Sequence, residues 1–310
     1  MNLENNEQNL KDNDLGFSTK PTHGRMVDKS GVYNVKRIGI TSWHPYQTLV
    51  ETSWLKFSAI TLLYYICLNG IFALLFLCLG QNALSGEHHT DFWGNFNKAF
   101  FFCVQTSTTV GYGGVIPITL MSNILSSILA LIGLLTFALA TGLFFARFSK
   151  PVAKIIYSEK ALIAPYQGGD SLQVRIVNAS KSQLMDLEAQ ISCSWIEEIN
   201  GIERRRFQAL LLERHKIFVF PLNWNLVHPI SEGSPIYNKS YEELKKMSIE
   251  FIVFIKGFDV VFNQTIHSGS SYTVDELVWN ATFAPMYEAS SDDGIVLDLG
   301  KINDINRLKS

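Results

Sequence analysis

Residues 105–118 read QTSTTVGYGGVIPI: two glycines bracket Tyr112 behind a run of hydroxyl side chains, with no charge in the stretch. It directly follows the apolar run FFFCV at 100–104. Backbone so rich in glycine is unsuited to a helix interior, and irregular backbone at membrane depth is tolerated only where it is buried in protein or lines a water-filled path. The flanking sequence must therefore decide whether a membrane surrounds it.

Two long apolar runs enclose the stretch. Leu55 to Leu79 and Met121 to Phe148 are each long enough to cross a hydrocarbon core of about 30 Å, and the second holds no acid or base before Arg147. Asn69 and Gly70 in the first run, and the Ser, Gly, Ala and Thr residues in the second, suit helix–helix contact more than a lipid face. Between the runs, Phe92 to Thr108 is apolar but too short for a full span and is expected to form a re-entrant helix. Lys29, Lys36, Arg37 and Lys56 precede the first run and Arg147, Lys150 and Lys154 follow the second, whereas residues 81–120 carry only Lys98 as a base. The positive-inside rule then places both termini in the cytoplasm of an inner (plasma) membrane protein. On that topology the glycosylation sequons at Asn178, Asn238, Asn263 and Asn280 are chance matches.

Residues 1–37 are polar, lack a signal peptide and are expected to be a disordered cytoplasmic segment. Residues 38–54 are expected to hold an amphipathic helix lying in the interface, with Ser42 as N-cap, Pro45 in the first turn, and Trp43, Tyr46, Leu49 and Val50 on one face. The pore-forming unit then covers 55–150. From 151 the texture changes to short alternating segments separated by Gly, Pro and Asn or Asp, as in SLQVRIVNA, LEAQISCSWI, KIFVFPLNWNL and IEFIVFIKGF; this predicts an all-β sandwich over 151–301 and a tail at 302–310.

A net charge of −2 argues against a nucleic-acid partner. Cys67, Cys78, Cys103 and Cys193 have no metal-ligand spacing and read as small buried apolar residues. No enzyme chemistry is evident. His88 and His89 fall in the loop between the runs, and His228 and His267 fall in sandwich segments without a nucleophile or metal partner, so they read as solvent-facing and structural respectively. No organic cofactor is expected. The segment GYGGV matches neither phosphate-binding glycine motif, and no strand precedes it.

The chemistry that TVGYG fits is ion dehydration. A pore that strips water from K⁺ must supply fixed oxygens instead, and backbone carbonyls from several copies around an axis can do so. Gly111 and Gly113 suit positions of positive φ. On this reading K⁺ is held at Thr109, Val110, Gly111 and Tyr112, with Gly113 closing the filter, while the Val110 and Tyr112 side chains wedge it against a pore helix. That helix should aim its negative C-terminal end at the inner cavity.

TTVGYG between two spans, together with ARFSKP at 146–151, IIYSEKALIA, LNWNLVHPI at 222–230, GSPIY at 233–237 and NQTIHSGSSY at 263–272, resembles the prokaryotic inward-rectifier potassium channels, the KirBac family, over about 38–301. The resemblance implies a homotetramer with an α-helical two-span pore domain above immunoglobulin-like cytoplasmic domains. It places Gly133 at a hinge of the inner helix, Phe145 at the bundle-crossing gate, and Phe137 where strong rectifiers carry an acid, which implies weak rectification. It also implies an anionic-lipid headgroup site at Arg147, Lys150 and Lys154, with Lys36, Arg37 and Lys56. The sequence departs from many relatives at Gln105 and Val115, which lack an acid–base pair behind the filter, and at Gly114. Two other readings remain: a sandwich interaction module anchored by a helical hairpin, and a non-selective channel on the same fold.

Overall fold

The computed structural model describes residues 24–36, 38–39, 44–87, 90–150, 154–199, 201–289 and 294–308. The chain divides into two units, 40–150 and a second formed by 1–39 with 151–310.

The first unit is helical. α1 spans Pro45–Glu51 and begins after His44, with Pro45 in its first turn. The start falls later than the sequence suggests; Ser42 and Trp43 lie outside the described residues. α2 (Trp54–Cys78), α3 (Phe92–Ser107) and α4 (Leu120–Phe148) follow. At about 1.5 Å per residue, α2 and α4 exceed a hydrocarbon core of about 30 Å, and α3 falls short of it. α2 stops at Gly80, whose φ of 93° lets its N–H bond back to the Leu77 carbonyl at 3.1 Å. α4 starts with a reciprocal cap in which Thr119 and Ser122 each satisfy the other's backbone N–H. The three long helices meet through Phe72, Ala73 and Phe76 of α2, Ala99, Phe102 and Cys103 of α3, and Leu129 of α4. Much of the remaining apolar surface, including Leu62, Leu63 and Ile71 on α2 and Leu131, Leu134 and Leu139 on α4, is exposed. Such a surface is matched to hydrocarbon or to further helices, not to water.

The second unit is a β-sandwich. Its first sheet is built on β3 (Gly169–Asn178): β1 (Ile155–Tyr157) and β2 (Ala161–Tyr166) lie along one edge, β7 (Asn223–Pro229) along the other, and β10 (Leu277–Trp279) runs parallel to β2. The second is built on β4 (Leu184–Ile199): β5 (Ile202–Leu210) and β6 (Lys216–Val219) pair one edge, and β8 (Glu250–Asp259) the other, with β9 (Gln264–Thr273) beyond it. A short helix, α5 (Tyr241–Lys246), precedes β8. Alternation does the work expected of it. Leu172, Val174 and Ile176 of β3 and Phe251, Val253 and Ile255 of β8 fill the layer between sheets. The segment KIFVFPLNWNL proves to be two strands, β6 and β7, broken around Pro221. Asn238, Asn263 and Asn280 sit at φ of 52°, 51° and 52°, left-handed positions that asparagine tolerates, which accounts for them without glycosylation.

Both ends of this unit correct the sequence reading. Residues 24–36 are not free: Met26 and Val27 are buried against Phe207, Ile252 and Phe254, on the face of β8 opposite the core. The buried Glu250 carboxylate accepts the N–H groups of Met26 and Val27 at 2.8 and 3.0 Å. Arg25 donates to Glu276 at 2.5 Å, and Lys29 lies 4.1 Å above the Tyr272 ring. Gly31 meets the Gly269 backbone so closely that a Cβ would come within 2.7 Å of it. Polar composition hid this because only Met26 and Val27 supply the apolar contact, and backbone bonds and charge hold the rest of the segment. At the other end, residues 302–308 are not a tail. Ile302 is buried, and β14 (Ile305–Arg307) pairs with β11 (Ala281–Phe283). The buried Arg175 secures this region, donating to the Ala284 carbonyl at 2.6 Å with its guanidinium 4.3 Å over Phe283. Between them, β12 (Tyr287–Ala289) and β13 (Ile295–Leu297) form a separate hairpin.

Replacing Glu250 by alanine removes the acceptor for two buried N–H groups, at about 1.5–3 kcal/mol per charged bond. Hydrogen exchange read by mass spectrometry should show residues 25–33 exchanging far faster in Glu250→Ala than in the parent, with the sandwich strands little changed.

Candidate ion-conduction site

The end of α3 sets the geometry of TVGYG. Asp91 caps the helix by accepting the Gly94 N–H at 2.8 Å, and the helix runs unbroken to Ser107. The chain then doubles onto the helix end. Thr109 N–H donates to the Thr106 carbonyl at 3.1 Å, and the Gln105 carbonyl accepts both Val110 and Gly111 N–H, at 2.9 and 3.2 Å. Thr109, Gly111 and Gly113 have φ of 62°, 55° and 79°, while Val110 and Tyr112 stay outside the left-handed region. The sign of φ thus alternates from Thr109 to Gly113. The two glycines follow the sequence reading. Thr109 was not foreseen there, because a β-branched residue at positive φ is an outlier that costs of order 1–3 kcal/mol and persists only when its surroundings impose it.

In one chain this stretch is uncovered. Tyr112 is 81% exposed, and nothing lies within 4 Å of a Cβ placed on Gly111 or Gly113. The expected wedge of Val110 and Tyr112 against the chain's own pore helix is therefore not formed within a single copy.

Gly133 lies on α4 where that helix crosses the end of α3. A Cβ there would stand 2.3 Å from the Ser107 carbonyl oxygen and 2.7 Å from its Cα. The sequence reading makes Gly133 a hinge; the fold also makes it a point of backbone contact. On the other side of the same residue, the Ser107 hydroxyl donates to Asn69 Oδ1 of α2 at 2.9 Å. Farther down α4, Phe137 and Phe145 are 72% and 73% exposed. Phe144 behaves differently: it stacks edge-on against Phe57 at 5.1 Å and near Trp54 at 6.2 Å. Neighbouring phenylalanines thus differ, Phe144 packing within the chain and Phe145 facing outward from it.

Arg147, grouped with the lipid-facing bases on the resemblance, is engaged within the chain. Its side chain is buried, and its guanidinium donates to the carbonyls of Leu49, Val50 (3.0 Å) and Thr52 (2.6 Å) at the end of α1. It lies 4.6 and 4.5 Å from the Trp54 and Phe57 rings. A cation at a helix C-terminus satisfies the orphan carbonyls there, and the bonds of this one are taken up within the chain. Lys56 is exposed, Lys150 is exposed with Glu51 at 3.9 Å, and Lys154 is exposed at the start of the sandwich unit. Lys36 is exposed; Arg37, His88 and His89 lie outside the described residues.

His228 is buried, with Nδ1 2.7 Å from the Leu211 carbonyl and Nε2 2.8 Å from Ser234 Oγ. A carbonyl can only accept, so Nδ1 carries the proton and Nε2 accepts from the serine. Burial holds its pKa below the ordinary histidine value. It is a structural residue. His267 is exposed along an open groove of about 620 Å³ that runs across β4, β8 and β9. Among the described residues, no group of three or more His, Cys, Asp or Glu side chains is arranged to hold a metal ion, and all four cysteines are free.

Two apolar helices, a short helix between them ending in a glycine-alternating loop, and a following β-sandwich define a pore-loop membrane protein. The comparisons make that class specific. Residues 39–150 match the model described as "Ion channel", and residues 155–310 the model "Inward rectifier potassium channel C-terminal domain". The chain is 33% identical over 286 residues to inward rectifier potassium channel Kirbac3.1 of Paramagnetospirillum magnetotacticum, covering 91% of this chain and 95% of that one. It is 26% identical over 303 residues to the G protein-activated inward rectifier potassium channel 1 of Bos taurus, covering 86% of this chain and 58% of that longer one. The chain belongs to the inward rectifier potassium channel family. The family is one of membrane ion channels, not enzymes.

Two measurements follow from the geometry. Helix propensity favours alanine over glycine by about 1 kcal/mol, so Gly142→Ala, with nothing within 4 Å of the new Cβ, should leave thermal stability in detergent unchanged or raised. Gly133→Ala should lower it or block assembly. His228, with its pKa depressed on folding, favours the folded state where the residue is neutral in both states; that advantage falls as pH drops through the ordinary histidine value near 6.5. Thermal melts should therefore show the parent losing stability between pH 7.5 and 5.5, and His228→Gln losing less over the same interval.

Proposed function

We propose that the chain forms a homotetrameric, K⁺-selective pore in which Thr109 to Gly113 of four copies supply the carbonyl oxygens that replace the hydration of K⁺. The observation that carries this is the alternating φ at Thr109, Gly111 and Gly113 on a stretch no part of its own chain covers. Four copies around an axis give each Tyr112 a neighbouring pore helix to pack on and place the uncovered backbone along water, as backbone at membrane depth requires. The carbonyl end of α3 adds negative potential on the cavity side.

Within this reading the inner helices narrow at Phe145, where four phenylalanines make an apolar constriction that gates by dewetting. Phe137 puts no charge in the cavity and so favours weak rectification. Anionic headgroups meet Lys56, Lys150 and Lys154, in keeping with basic residues at the cytoplasmic ends of spans. Both termini are cytoplasmic. Arg147 has a different part, holding α1 to α4.

Purified protein in liposomes tests the reading. Radiolabelled Rb⁺ uptake should require K⁺ inside, stop with Ba²⁺, and vanish in Gly111→Ala, and the detergent-solubilised mass should be that of four copies. Uptake driven equally by internal Na⁺ would leave a pore without selectivity; a monomer without uptake would leave an anchored module.

A further inference from the structure

Asn69 is a primary amide at the middle of a 25-residue apolar helix, and it is fully buried. An amide in such surroundings is retained only if it is bonded. Its Nδ2 donates to the Tyr65 carbonyl at 2.9 Å, one turn back in α2, and its Oδ1 accepts the Ser107 hydroxyl at 2.9 Å. Ser107 is the last residue of α3, two positions before Thr109, and lies in the turn whose Gln105 carbonyl accepts the N–H groups of Val110 and Gly111. Its backbone rests on Gly133 with no room for a side chain. Outer, pore and inner helices thus converge on one serine directly behind the filter.

We propose that Asn69 and Ser107 are positioning residues for ion discrimination: the hydrogen bond between α2 and α3, closed against Gly133, fixes the end of the pore helix and thereby the carbonyls that follow it. This rests on the conduction reading above and adds residues that never touch the ion. Discrimination between K⁺ and Na⁺ depends on the spacing, number and field of the coordinating carbonyls, and Thr109 occupies a backbone conformation that only imposed surroundings maintain. Freeing the helix end relaxes that imposition without removing any filter atom. Ser107→Ala deletes one oxygen, creates no clash and leaves the amide bond to Tyr65 in place. Selectivity is therefore expected to fall before assembly does.

The test uses the full chain in liposomes and reads the ratio of Rb⁺ uptake with K⁺ inside to uptake with Na⁺ inside, normalised to recovered tetramer. Ser107→Ala and Asn69→Ala should each lower the ratio about tenfold, as loss of a bond to a buried polar group implies. The double variant should be no worse than the poorer single, because both remove one shared interaction. Ser126→Ala is the control: that hydroxyl bonds within its own helix, to the Ser122 carbonyl at 2.7 Å, and its loss should leave the ratio unchanged. Should Asn69→Ala fail to assemble, Ser107→Ala still decides. A selective parent whose variants keep the parental ratio, or whose double variant loses the product of the two singles, overturns the junction alone. A parent without K⁺-dependent uptake overturns the conduction reading, and the role of the pair with it.

Discussion

Peptide groups in hydrocarbon must be bonded or must face water, and the helical unit is organised around that requirement. α2 and α4 meet it internally, as long helices do. The stretch after α3 cannot, since two carbonyl-bound N–H groups share Gln105 and the remaining backbone is open. Everything near it serves to hold that open segment in one shape: the Asp91 cap that fixes where α3 begins, the close pass of α4 at Gly133, and the antiparallel contact in which Ser85 N–H donates to the Ile116 carbonyl at 2.8 Å and Ile118 N–H to Ala83 at 3.0 Å. The chain leaving Gly113 is thereby tied to the loop that follows α2.

The same logic recurs where the end of α1 meets the last turn of α4. α1 finishes with free carbonyls, and Arg147 supplies three donors for them from the last turn of α4. Trp54 and Phe57 cover the guanidinium, so the contact is shielded where an exposed ion pair would be weakened by water and salt. A lysine has neither the planar fork nor the stacking surface to replace it.

Sequence made the helices legible because length and lack of charge suffice for a span, and it made the strands legible where alternation was clean. It failed where the signal is tertiary. β5 carries Arg204, Arg205 and Arg206 and does not look like a strand, yet Arg205 is buried and bonds Ser194 at 2.8 Å. Residues 24–36 are placed by Glu250 and by the apolar patch that takes Met26 and Val27, both distant in sequence. Arg147 looked like any basic residue after a span. In the candidate site, Gly111 and Gly113 were readable because φ demands glycine there, whereas Asn69 and Ser107 were not read as a pair. One is a polar residue in an apolar run and the other a serine among hydroxyls, and only the crossing of two helices joins them.

Phe144 and Phe145 point about 100° apart, as consecutive helical residues must. Phe144 is gripped by Trp54 and Phe57, and Arg147 one turn below Leu143 ties the same helix face to α1. Spinning α4 about its own axis would tear both contacts. The rotational setting of that end of the helix is therefore fixed by α1 and α2, while the backbone is uncrowded at Gly142 and pressed against Ser107 at Gly133. Phe145, one residue on from Phe144, is thereby held on an exposed face of α4.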